Sequence, residues 1–110
     1  MRLVGLSKLR KYQLKKRGND QLRKAIDTLI SDIEKLGPTE LIHQRSDADK
    51  VHNVGFYFFN IRHDRVMILI EWTMDGDASV VWIGDHDDYE RTFKNNKKVI
   101  QKWLSEKGWI

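Results

Sequence analysis

The chain has no cysteine and a single proline among its 110 residues. Without cysteine there is no disulfide framework, no thiolate nucleophile and no cysteine-ligated zinc site. No apolar run approaches the roughly eighteen residues that cross a bilayer, and no signal-peptide pattern opens the chain, so a cytoplasmic location without a membrane partner is expected. Glycine-rich turns of the phosphate-loop or dinucleotide kind are missing, so no cofactor is expected. None of Ser7, Ser31, Ser46, Ser79 and Ser105 stands in a nucleophile-elbow setting, which argues against a hydrolase triad. Repeats and low-complexity segments are absent as well.

What is present fits one domain, residues 1–110, with a real core: 40% of the residues are hydrophobic and four are tryptophan. The net charge of +4 hides a division along the chain. Residues 1–24 hold nine Lys/Arg against one Asp, residues 25–93 six basic against fourteen acidic, and residues 94–110 five against one. Basic ends flank an acidic middle. Clustered positive charge suits a phosphate-bearing partner, because neutralising phosphates releases counterions; a solvated helix face is the equally weighted plain reading.

Residues 2–5, RLVG, read as a short strand. Ser7 is placed to cap a basic helix over KLRKYQLKKR, which Gly18 ends. Next, behind a cap at Asn19 or Asp20, Leu22, Ile26, Leu29, Ile30, Ile33 and Leu36 recur at helical spacing until Gly37-Pro38 stops them. That stripe is core. Residues 39–52 keep no period and read as a connecting loop. Three strands follow, over 53–61, 65–72 and 79–83, joined by RHD and by TMDGDA with its Asp-Gly turn signal, which predicts an antiparallel meander. These strands are apolar on both faces, so they need cover on both, or cover on one and use of the other. Asp85 to Lys94 predicts a short helix, and Asn95 or Asn96 caps a last one with the stripe Val99, Ile100, Trp103 and Leu104. The expected class is α+β: helices 7–17 and 20–36 on one face of a twisted antiparallel sheet, C-terminal helices after it, and residues 2–5 as a candidate edge strand.

Candidate chemistry gathers at the expected sheet edges. Lys50 and His52 precede the meander, Arg62, His63 and Arg65 lie at its first hairpin, and His86 and Tyr89 lie past its last strand. A helix starting at Asp85 would put His86 and Tyr89 on one face. Histidine exchanges a proton near neutral pH, tyrosine stacks on a base or donates a hydrogen bond, and arginine holds a phosphate bidentately. Together they suit cleavage of an RNA phosphodiester, in which the 2′-hydroxyl needs a base, the phosphorane a cation and the leaving oxygen an acid. Each is, on its own, more often a solvated loop residue. A metal site on Asp85, His86, Asp87 and Asp88 matches no ligand template, since adjacent helical residues point apart. The aspartates read instead as a cap on the helix that carries His86 and Tyr89.

The order strand, two helices, three-strand meander and C-terminal helix, with FFNI, then RVMILIEW, then WIGDHDDYERTF, resembles the HigB branch of the RelE-type toxins of bacterial toxin-antitoxin modules. The resemblance is loose before residue 50 and tighter from 54 to 93, and it is sharpest at Gly84, His86 and Tyr89. It implies a RelE-like fold and a metal-independent endonuclease that cuts messenger RNA on the ribosome. In-line attack of the 2′-hydroxyl would leave a 2′,3′-cyclic phosphate and a 5′-hydroxyl, and a helix-turn-helix antitoxin would be the partner. Arg65 would then contact the scissile phosphate, while His86 and Tyr89 would serve as proton donor or acceptor, or Tyr89 would stack on a base. Lys50 and His52 match by region as RNA-binding residues, and Arg62 joins them from the hairpin. Lys8, Arg10, Lys11, Lys15, Lys16 and Arg17 of the basic helix would dock on ribosomal RNA by charge. The alternative is a non-catalytic RNA-binding or protein-interaction module of the same fold, favoured by the crowding of Asp85, Asp87 and Asp88 where an RNA site should be positive.

Overall fold

The computed structural model describes residues 1–72 and 76–110. The expected Asp-Gly turn includes Asp75 and so lies outside the described residues. The chain runs β1 (Arg2–Val4), α1 (Leu6–Lys15), α2 (Asp20–Lys35), α3 (Pro38–Gln44), β2 (Asp49–His52), β3 (Phe56–Ile61), β4 (Asp64–Ile70), β5 (Asp77–Asp85), α4 (His86–Phe93) and α5 (Lys97–Glu106). The protein is therefore α+β. Its five strands stand in the order β1-β5-β4-β3-β2.

The meander is there as β3, β4 and β5, each antiparallel to the next. The sheet as a whole is mixed, however, because β1 pairs in parallel with β5, Arg2 lying opposite Asp77. Parallel neighbours need a long connection, and everything from α1 to β4 lies between these two strands. Two further expectations are corrected. Residues 39–52 hold a helix and a strand rather than a loop. Gly37-Pro38 does end α2, yet Pro38 also opens α3, where its fixed φ and missing N–H suit the first helical position. Only Leu41 of α3 and Val51 of β2 are buried, so neither element shows a hydrophobic period. Helix α1 starts one residue before Ser7, with Gly5 as its cap at a φ of 89°. A Cβ on Gly5 would also lie 3.2 Å from that of Val80.

Alternate residues of the central strands feed two cores. Tyr57, Phe59, Ile61, Val66, Ile68 and Ile70 pack with Leu9, Ile26, Leu29, Ile33 and Leu41 from α1, α2 and α3. Phe56, Phe58, Met67 and Val81 pack with Tyr89, Phe93, Ile100 and Leu104 from α4 and α5. Both faces of the sheet are thus covered, which explains the double-sided apolar pattern. Phe93 is the hub of the second core, its ring 5.0 Å from Trp82, 5.2 Å from Trp103 and 5.6 Å from Phe58, centre to centre. Phe93→Ala is expected to cost about 3–5 kcal/mol in urea unfolding, from lost transfer energy and the cavity left behind.

Side chains complete the sheet where strands run out. Beyond β2, the Asn60 N–H of β3 donates to Asp47 Oδ2 at 2.9 Å, and Arg45 holds Asp47 and Asp32 at 2.9 and 3.0 Å. Beyond β1, helix α1 runs along the edge of β5: Lys8 Nζ donates to the Val80 carbonyl at 3.3 Å, and Lys16 Nζ lies 3.6 Å from Asp85. These contacts place the C-terminal end of α1 beside the start of α4.

Candidate functional site

The site is built where β5 hands over to α4. Gly84 has no side chain because a Cβ would meet the Trp82 ring at 2.6 Å and Asp88 Cβ at 2.9 Å. The next residue caps the helix. Asp85 Oδ1 accepts from the Asp88 N–H at 2.8 Å, and Asp88 Oδ2 accepts from the Asp85 N–H at 3.3 Å, a reciprocal box in which both carboxylates also complement the helix dipole. Lys16 pairs with Asp85 and Arg91 with Asp88. Two of the three crowded aspartates are therefore committed to local structure and partly neutralised.

The Asp88 N–H holds the Asp85 carboxyl below the usual aspartate range; burial opposes this, and the charge of Lys16 adds to the lowering. A folded pKa below the unfolded one gives stability that is complete above the unfolded value, about 3.9, and lost as pH falls through the folded value. Asp85→Ala is expected to cost about 1 kcal/mol at neutral pH. In thermal unfolding its deficit against the parent should shrink as the pH is taken below about 4.

Arg65 lies opposite Gly84 on β5 and Asn60 on β3, and the place of the missing side chain at 84 is filled by the Trp82 ring and Asp88. Its guanidinium carbon sits 4.3 Å from the centre of the Tyr89 ring. Such a cation on an aromatic face contributes about 0.5–2 kcal/mol. Among the described residues no carboxylate lies within 4.0 Å of Arg65. Tyr89 itself is only 4% exposed, meets Phe58 edge-on at 5.2 Å, and donates its hydroxyl to Asn95 Oδ1 at 3.0 Å. The ring face expected for an RNA base is taken by Arg65. The hydroxyl expected to move a proton is bonded to Asn95.

His86 is the first residue of α4, its side chain 64% exposed and its Nε2 3.9 Å from Glu90 Oε1. Three helical steps leave two residues about 60° apart around the axis, enough here to turn Tyr89 into the core and His86 out to the rim. The two do not share an exposed face as the spacing suggested.

The other candidates separate into groups. Arg62, at a φ of 70° in the β3–β4 turn, donates to Gln21 of α2. Arg10 is paired with Asp27 at 2.6 Å and bonded to Gln13 at 2.8 Å. With Lys8 and Lys16 engaged along β5, only Lys11, Lys15 and Arg17 of the basic helix lack an ion pair or side-chain hydrogen bond among the described residues. Lys50 and His52 lie on the outer strand β2, where His52 Nδ1 accepts from the Val54 N–H at 3.3 Å.

One polar pair was not anticipated. The Tyr12 hydroxyl of α1 donates to buried Asp64, the first residue of β4. Burial, and then the Asp64 bond, push the Tyr12 hydroxyl far above its ordinary value, so it stays a donor at all working pH. Leu9 and Tyr12 are the buried residues of α1, and nothing local in the sequence names Asp64 as the partner.

Among the described residues no group of three His, Cys, Asp or Glu is placed to hold a metal, and no helix is long and apolar enough to cross a membrane. Fold and site together define an α+β protein on a five-stranded mixed sheet, with an arginine at the end of its central strands that has no carboxylate partner among the described residues. No protein-family model, curated protein or solved structure matches the chain.

Proposed function

We propose that the chain is the toxin of a type II toxin-antitoxin module, a RelE-like endonuclease that cuts messenger RNA on the ribosome in the cytoplasm without a metal. The carrying observation is the Arg65 guanidinium, free of carboxylates among the described residues and held on the Tyr89 ring at 4.3 Å, beside a strand end that leads to exposed His86. In this reading Arg65 binds the scissile phosphate and stabilises the charge that builds on its oxygens in the phosphorane. The 2′-oxygen attacks phosphorus as it loses its proton, the bond to the 5′-oxygen breaks, and that oxygen takes a proton. His86 handles proton transfer. Tyr89 keeps the guanidinium in place. A helix-turn-helix antitoxin is the partner proposed to cover this site.

Lys11, Lys15 and Arg17, without an ion pair among the described residues, are the cations proposed to meet ribosomal RNA. Lys11→Glu with Lys15→Glu should weaken ribosome binding and flatten its salt dependence in sedimentation assays, because fewer counterions are released. Lys16 is left out of this test, since a glutamate there would face Asp85.

The second reading, a non-catalytic RNA-binding or protein-interaction module, is favoured by the covered sheet faces and the buried Tyr89. Mapping the ends of messenger RNA after incubation with ribosomes separates the two. A 2′,3′-cyclic phosphate with a 5′-hydroxyl is the expected result. A 5′-phosphate would mean that water is the nucleophile, and intact message on ribosomes that bind the protein would select the second reading.

A further inference from the structure

Strand β2 and the first turn of α5 enclose a groove of about 390 Å³, lined by Lys50, His52, Asn53, Lys97, Lys98 and Gln101 among others. Among the described residues no acidic side chain lines it, and the first turn of α5 carries none, whereas the first turn of α4 has Asp87 and Asp88. Lys50, Lys97 and Lys98 have no carboxylate within 4.0 Å among the described residues. Two of these cations stand at the helix end whose dipole is already positive, where an acid would be stabilising. Like charges gathered this way oppose folding and raise the local concentration of anions.

We infer that this groove binds the backbone of single-stranded RNA, its lysines meeting successive phosphates. The remaining lining suits nucleotides: Asn53 and Gln101 each offer a donor and an acceptor, the pair that base edges require. His52 accepts from Val54 through Nδ1, so neutral imidazole keeps its proton on Nε2 as a donor. The inference rests on the RNA reading above but uses α5, which the proposed chemistry does not. It makes the C-terminal helix a substrate-holding element in addition to a cover for the sheet.

The test is Lys97→Glu with Lys98→Glu, both exposed and leaving the Asn96 cap, which accepts from the Lys98 and Val99 N–H groups, in place. A fluorescent single-stranded RNA with 2′-O-methyl groups, which cannot be cleaved, is titrated at several salt concentrations, and thermal unfolding confirms the fold. Affinity should fall at least tenfold at about 0.1 M salt, and the slope of log K against log salt should shrink by about 1.4, two contacts at roughly 0.7 each. Unchanged affinity and slope would overturn the groove, as would absence of binding by the parent protein or displacement of the RNA by polyglutamate at matched charge. Cleavage of ribosome-bound message is measured in parallel. Binding lost in the double variant while the parent never cleaves would keep the groove and remove the endonuclease, and cleavage with unaltered RNA affinity in the variant would do the reverse.

Discussion

Arg65→Ala is expected to reduce message cleavage by about 10² to 10³, the loss typical of removing one group aimed at a developing oxyanion. The side chain is half-buried at the end of β4, on the Tyr89 ring, so its position is fixed before RNA arrives and little ordering is left to do at the reacting phosphate. Arg65→Lys should recover only part of the rate. An ammonium keeps the charge but cannot offer the planar fork that meets two phosphate oxygens, and it lies less well on an aromatic face. Since the substitution also uncovers Tyr89, unfolding curves must accompany the kinetics. A rate within threefold of the parent would remove Arg65 from the chemistry.

His86→Ala and Tyr89→Phe should part company. The histidine is mostly exposed, so its loss should leave stability within about 0.5 kcal/mol while cutting the rate by about 10² to 10⁴. Tyr89→Phe keeps the ring under Arg65 and removes only the hydroxyl bond to Asn95, for which about 1 kcal/mol of stability and a small rate effect are expected. The pair is informative because the spacing alone makes both residues candidates for proton transfer. If Tyr89→Phe loses as much rate as His86→Ala with its stability intact, the hydroxyl is an acid or base and Tyr89 is more than a platform. If neither loses rate, proton transfer belongs to another group.

Elements with a sustained period were legible in the sequence. The stripe from Leu22 to Ile33 is buried in α2 as spaced, Ile100 and Leu104 are buried in α5, and the three long apolar runs are the central strands. The aspartates before α4 were legible as a cap, because an acid three residues from another at a helix start meets free backbone N–H groups wherever the helix sits. Short elements were not. Helix α3 and strand β2 bury one residue each, and one buried residue has no period.

Composition, charge division, the three strands and the cap of α4 are local properties, set by residues within a few positions of each other, and the sequence by itself determined them. The parallel pairing of β1, the second cover from α4 and α5, and the roles of Tyr89 and Lys8 were decided only by tertiary structure. A tyrosine one turn into a helix is equally suited to water or core until Phe58 and Phe93 close around it, and a lysine of a basic helix reads as solvated until β1 ends and leaves the Val80 carbonyl needing a donor. Burial and hydrogen-bond satisfaction are settled by neighbours far along the chain, and spacing within one element carries no record of them.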